Sequence, residues 1–192
     1  MLTCRLWFRC VFGALFALLL GSVVAPTTAM AMVGSSCQRH PELEGTRETH
    51  VAQLNAFRTD QNRRGLEVNR SLNRIAQDYA CTLARTGRFA HTGPEGSTLA
   101  TRVTAGGYEY CLVAENLAKG QRSIGAALQA WARSPSHRGN LRLRGARETG
   151  LGIARAAPGV GGGPEREFRA SVGGTAPASN AWVWVQLIAR PC

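Results

Sequence analysis

Two histidines and two glutamates stand in short polar phrases separated by stretches of helical periodicity. The phrases are Ala90-His91-Thr92-Gly93, Ala114-Glu115-Asn116-Leu117, Ser134-Pro135-Ser136-His137-Arg138-Gly139-Asn140-Leu141 and Glu148-Thr149-Gly150-Leu151-Gly152. Neutral imidazoles beside carboxylates can hold a divalent cation or pass protons near neutral pH. Each residue alone also has a plain structural use. A turn histidine, a carboxylate accepting backbone N–H groups at a turn, or an exposed glutamate beside Arg147 needs no ligand. Four such residues in four patterned phrases favour one polar site over unrelated surface positions.

The elements that must position them follow from periodicity and punctuation. Val51, Leu54 and Phe57 predict a helix over Thr46–Arg64 that stops at Gly65. Leu66-Glu67-Val68 reads as short and extended. Ser71 is the expected N-cap of a second helix whose face is Leu72, Ile75, Ala76, Tyr79, Ala80 and Leu83, ending at Gly87. His91-Thr92-Gly93-Pro94 then falls in a turn just beyond a helix. A shorter helix is expected over Ser97–Ala105, stopped by Gly106-Gly107. Ser123 should cap another, with Ile124, Ala127, Leu128 and Trp131 on one face, and Ser134-Pro135 should break it and present His137 in a new turn. Strand signals concentrate in the last third: Gly150–Ala156, a weaker Arg166–Val172, and Ala181–Ala189 with Trp182 and Trp184 on one face. Pro158–Pro164 is a glycine-rich loop without the lysine or the strand-to-helix context of a phosphate loop. Helices followed by an antiparallel sheet predict an α+β fold.

The ends of the chain bound its setting. Arg5 and Arg9, the apolar run Val11–Leu20 and the small-residue site Ala29-Met30-Ala31 predict a secretory signal over residues 1–31. That apolar run is shorter than the roughly 20 residues a bilayer crossing needs. Cleavage there would leave 161 residues with a formal charge of +9, room for one core; 32–45 would be an N-terminal segment and 46–192 the domain. Cys37, Cys81, Cys111 and Cys192 would remain, an even number that favours two disulfides in an exported chain. Of the three possible pairings, Cys81–Cys111 with Cys37–Cys192 is the expected one, tying a helix to the segment before Glu115 and one chain end to the other. No Cys-x-x-Cys spacing supports a cysteine zinc cluster. The basic excess, almost all arginine with Lys119 the only lysine, favours anionic lipids or cell-wall polymers. Nucleic acid is disfavoured, since no aromatic-basic ladder is present.

The phrases, in this order, resemble the CAP superfamily (the SCP/PR-1 domain of cysteine-rich secretory proteins, antigen 5 and pathogenesis-related 1) in its short bacterial form. The matching pieces are His91-Thr92-Gly93, Gly107-Tyr108, Glu115-Asn116-Leu117, Trp131 through Leu141, Gly150-Leu151-Gly152, and Trp182-Val183-Trp184-Val185-Gln186, spanning Thr46 to Ala189. The resemblance implies a three-layer α-β-α sandwich with a central antiparallel sheet and a cleft lined by histidine and glutamate. It carries His91 and His137 over as metal ligands, for Zn2+ or another divalent cation, and Glu115 as a cleft acid. The acid that larger members place three residues after the helix tryptophan is replaced here by Ser134; Glu148 is the expected substitute. His40 and His50 lie outside the matched phrases and are expected to face solvent. Trp131, Trp182 and Trp184 are expected to pack, and Arg138 and Asn140 to hold the His137 turn.

These readings predict a secreted or periplasmic binding protein that takes a divalent cation and a lipid, sterol, cell-envelope or protein ligand, with no membrane-spanning segment in the mature chain. The alternative is a hydrolase of peptide, lipid or cell-wall substrates, working through a cation-bound water or through Glu115 and Glu148 as acid and base. The chain shows no serine nucleophile elbow or Cys–His signature, so an enzyme is the less favoured reading.

Overall fold

The structure, a computed structural model, describes residues 37–156 and 181–192. The expected signal, the Arg166–Val172 strand and the Pro158–Pro164 loop lie outside the described residues.

Helix α1 (Leu43–Asp60) buries His50, Leu54 and Arg58, spaced four apart along one face. α2 (Arg70–Thr86) carries the apolar stripe expected from sequence and ends at Gly87, whose φ of 68° needs glycine. Its cap is Asn69 rather than Ser71: the Asn69 Oδ1 accepts from the backbone N–H of Ser71 and of Leu72. α3 (Leu99–Ala105) starts behind a Thr98–Thr101 capping box, and α4 (Ile124–Arg133) behind Ser123. Pro135 opens α5 (Pro135–Leu141), directly after the Ser134 break.

Strands β1 (Cys37–Arg39), β4 (Glu148–Ala156), β5 (Val183–Pro191) and β3 (Tyr110–Lys119) lie side by side in that order, all antiparallel. β2 (Glu67–Val68) adds a two-residue parallel pairing to the start of β4. Between β1 and β2, the edge of β4 is satisfied by α2 side chains. Asn73 Oδ1 accepts the Leu151 N–H at 2.8 Å, and Gln77 exchanges two bonds with Ile153, each 3.0 Å.

Alternation along the strands splits the core in two. Leu117, Val185, Leu187 and Ala189 pack against Leu72, Ala76, Tyr79 and Val103 from α2 and α3. Ala118, Trp184, Ile188, Leu151 and Ile153 pack against Leu54, Leu128, Trp131 and Leu141 from α1, α4 and α5. This is the three-layer α-β-α sandwich. The late tryptophans share the second face, and Trp131 and Trp184 are buried there as packing residues. Gly150 and Gly152 face α2, where a Cβ on either would run into the helix backbone at Leu72–Asn73 and at Ala76–Gln77. The Gly-x-Gly phrase is therefore the condition for α2 lying flat on β4.

The cysteine pairing differs from expectation. The bridges are Cys37–Cys81 and Cys111–Cys192, not Cys81–Cys111 and Cys37–Cys192. Strand register decides this. Pairing β1 to the end of β4 sets Cys37 over α2, while Tyr110 opposite Pro191 carries Cys192 to Cys111.

Candidate functional site

Glu115 sits in the middle of β3, a ten-residue strand that periodicity did not reveal. Both faces of β3 are covered by helices, so Glu115-Asn116-Leu117-Ala118 shows no polar–apolar alternation. No element was expected over this stretch, and the plain alternative of a turn carboxylate gives way to a strand interior. As a result Glu115 projects into the α2–α3 layer and Asn116 into the α1–α4–α5 layer.

On the first side, the Glu115 carboxylate is almost fully buried, with 2% of its side chain exposed. Its Oε1 lies 2.8 Å from His91 Nδ1, and its Oε2 accepts from Arg102 Nη2 at 2.8 Å. Arg102 holds more than the charge. Its Nη1 donates to the carbonyls of His91 and Ser97, both at 3.0 Å, and its guanidinium lies over the Tyr79 ring at 3.4 Å. Tyr79 in turn donates to the Ala90 carbonyl at 2.6 Å. The loop carrying His91 is thus clamped on both sides of the residue, while the imidazole remains 59% exposed. A neutral His91 giving its Nδ1–H to Glu115 keeps the Nε2 lone pair for a ligand. Arg102 and Tyr79 were not singled out from the sequence; one is three residues into a short helix and the other reads as ordinary core.

On the second side, His137 stands in the first turn of α5, half-buried. Its carbonyl accepts from Asn116 Nδ2 at 3.3 Å. Asn140 Nδ2 donates to Asn116 Oδ1 (2.8 Å) and to the Glu115 carbonyl (3.2 Å). Burial, then the repulsion that a protonated His91 would exert, lowers the His137 pKa and so favours its neutral form. Among the described residues β3 is the outermost strand on this side. Its outward carbonyls at Glu115 and Leu117 are taken by Asn140 and by Trp131 Nε1 at 2.9 Å. The two histidines therefore flank the rim of the sheet, His91 held on the α2–α3 side and His137 carried by α5 on the other. Of the two residues expected to hold the His137 turn, Asn140 does so.

Behind Asn116 runs a buried amide relay. Asn116 Nδ2 donates to Gln186 Oε1 at 2.9 Å, which turns Gln186 Nε2 toward His50 Nε2 at 2.7 Å. His50 was expected in solvent; it is 2% exposed, and burial lowers its pKa to about 3. Its helical spacing with Leu54 and Arg58 was the available signal. His40, also expected in solvent, is half-buried with its ring 4.8 Å from that of Trp182.

Glu148 is held elsewhere. It lies on the same sheet face as Glu115 but two residues further along the register, opposite Ala189 rather than Leu187. Its Oε2 accepts from the Tyr108 hydroxyl and from Asn69 Nδ2 at 3.0 Å, joining the α2 cap to the end of α3. Burial, then this bond to Glu148, raises the Tyr108 pKa. None of its hydrogen bonds goes to His91, Glu115 or His137. Among the described residues, no three His, Cys, Asp or Glu side chains are grouped to hold a metal ion. Two imidazoles are available, and Glu115 serves as the partner that orients one of them.

The fold matches solved bacterial proteins. An extracellular protein containing an SCP domain from Bacillus anthracis is similar at 21% identity and a TM-score of 0.59, over 76% of this chain and 40% of that one. The chain thus spans less than half the length of that protein. An outer surface protein from Borrelia burgdorferi is similar at 19% identity and a TM-score of 0.64, over 81% of this chain and 98% of that one. Comparison with curated proteins by sequence gave no match. The cysteine-rich secretory protein family, CAP, matches residues 51–185, and with the sandwich and the rim-spanning phrases now in place, the chain belongs to that family.

Proposed function

We propose that this is an exported CAP-domain binding protein. Its rim site takes a divalent cation through His91 Nε2 and His137, next to a surface that receives a lipid, sterol, cell-envelope or protein ligand. One observation carries the reading: Glu115 Oε1 takes up His91 Nδ1 at 2.8 Å while the rest of that ring stays exposed beside a neutral His137. An imidazole oriented by a carboxylate in this way is the usual support for a metal ligand. With two protein ligands, solvent or the second ligand fills the remaining positions, giving an open site of modest affinity. When bound, a cation there would polarise that oxygen ligand.

Acid–base hydrolysis by Glu115 and Glu148 is the weaker reading. Both Glu115 oxygens are committed, to His91 and Arg102, and Glu148 is engaged with Tyr108 and Asn69. Export is supported by the two disulfides and by the likeness to an extracellular and an outer surface protein. No helix among the described residues is long and apolar enough to cross a membrane.

Zinc titration by calorimetry on the disulfide-bonded chain tests the cation reading. Saturable uptake should strengthen as pH rises through the histidine range and vanish in His91→Ala and in His137→Ala. Parent-like zinc binding by both variants would end the proposal.

A further inference from the structure

Arg58, in the last turn of α1, is 1% exposed, and none of its partners is a carboxylate. Its Nε donates to the Arg64 carbonyl (2.8 Å), Nη1 to Leu141 (2.7 Å) and Nη2 to Leu143 (3.3 Å). One buried guanidinium thus pins the loop after α1 to the segment after α5. Asn62, at φ 51°, turns the first loop, and Arg63 Nε reaches the Arg142 carbonyl at 3.1 Å. The two loops lie side by side and bring Arg63, Arg64, Arg142 and Arg144 to one surface, with Arg64 and Arg144 exposed.

Nothing in the described structure neutralises them. The three ion pairs lie elsewhere, and the acids flanking the first loop, Asp60 and Glu67, join none of them. Arg142 Nε is a buried donor without a partner. Desolvation, then repulsion from Arg144 and Arg142, lowers the Arg63 pKa, the sign of a crowded cationic surface. The fold accounts for Arg58, which satisfies three carbonyls, and a helix C-terminus favours Arg142. Neither argument covers Arg64 and Arg144, whose exposed side chains make no hydrogen bond among the described residues, and Arg144 adds repulsion on Arg63.

We propose that this two-loop surface binds a linear polyanion carrying phosphate groups. Guanidinium forks match phosphate oxygens two at a time. The charges are spread over two adjacent loops rather than gathered in a cavity, which fits a chain of anions better than a single ion. A bound chain would offset the repulsion that the free protein carries. It would also pass close to the rim site, because α5 bears His137 in its first turn and Arg142 just beyond its last, a rise of about 7.5 Å along the helix. The proposal is independent of cation binding.

Anisotropy with fluorescein-labelled linear polyphosphate, on the disulfide-bonded chain at stepped NaCl, tests it. The parent should bind saturably. The double variant Arg64→Gln/Arg144→Gln should lose at least about tenfold in affinity, with the log–log salt slope falling by roughly one unit per arginine removed. Near-UV circular dichroism should be unchanged, since both side chains are exposed. The control pair Arg85→Gln/Arg133→Gln, removing the same charge from exposed positions on α2 and α4, should bind like the parent. Equal losses in both pairs would overturn the proposal in favour of diffuse charge. So would competition by orthophosphate at matched phosphate concentration, which means a single-ion site. Binding to phosphatidylglycerol vesicles without binding to polyphosphate would overturn it in favour of a membrane surface.

Discussion

Gln186 Nε2 meets His50 Nε2 at 2.7 Å in the fully buried interface between β5 and α1. The direction of this contact is set from the other end. Gln186 Oε1 is occupied by Asn116 Nδ2, so the amide nitrogen must face the histidine, and His50 Nε2 must be the acceptor. His50 is therefore a neutral imidazole carrying its proton on Nδ1. Through Asn116 the same relay reaches the His137 carbonyl and Asn140.

A proton on His50 would set N–H against N–H, which gives acid sensitivity a defined origin. The folded pKa is about 3, below the ordinary histidine value of 6.5, so the unfolded chain binds a proton in the window between them and the native protein does not. Stability is complete above pH 6.5 and should fall by about 1.4 kcal/mol per pH unit from this residue as pH drops toward 3. Urea unfolding of the parent and of His50→Gln at pH 7, 5.5 and 4 reads this directly. The variant should show the shallower pH dependence; identical slopes would mean that His50 is not the group responsible.

The Glu115–Arg102 pair is buried on both sides, at 2% and 12% side-chain exposure. Arg102→Ala leaves the carboxylate without its cation and frees the carbonyls of His91 and Ser97. The expected loss is about 3–5 kcal/mol. Glu115→Gln should cost less, since the Arg102 guanidinium left without its anion keeps the carbonyls of His91 and Ser97 and the Tyr79 ring as partners. Denaturant midpoints for the two variants give the order, and the reverse order would contradict the clamp described above.

Gly152→Ala should destabilise by about 1–3 kcal/mol or more, because the new methyl meets the α2 backbone at Ala76–Gln77, where nothing can rotate away. Gly45→Ala offers the contrast. It lies in α1 with nothing within 4 Å of an added Cβ, and should stabilise by about 0.5–1 kcal/mol. Thermal melts of the two variants would separate a packing glycine from a merely permissive one.

Non-reducing peptide mapping should recover Cys37 with Cys81 and Cys111 with Cys192. Cys192→Ser with Cys111→Ser opens a bridge spanning 81 residues and should cost about 4–5 kcal/mol on the chain-entropy view. Recovery of a peptide joining Cys81 to Cys111 would contradict the strand register.

Much of the architecture was legible because local chemistry specified it. The α2 stripe with its Gly87 stop, the Ser123 cap, the Ser134-Pro135 break and the alternation of Trp182 and Trp184 each act within a few residues. The ordered phrases around His91, Glu115 and His137 identified the family, and these too are features of the chain read along its length.

Only tertiary structure decided the rest, because it depends on what lies across the sheet. β3 had no period to read once helices covered both its faces, so the sequence assigned Glu115 to no strand. Cys37 and Cys192 found their partners by strand register, not by distance along the chain. His50 resembled a surface histidine until Gln186, 136 residues away, supplied its hydrogen bond. Arg102 became the clamp of the site only when α3 folded it over Tyr79 and onto Glu115. A side chain's periodicity can announce that it will be buried, but its partners are chosen by the packing of distant segments, and the chemistry of the site belongs to those partners.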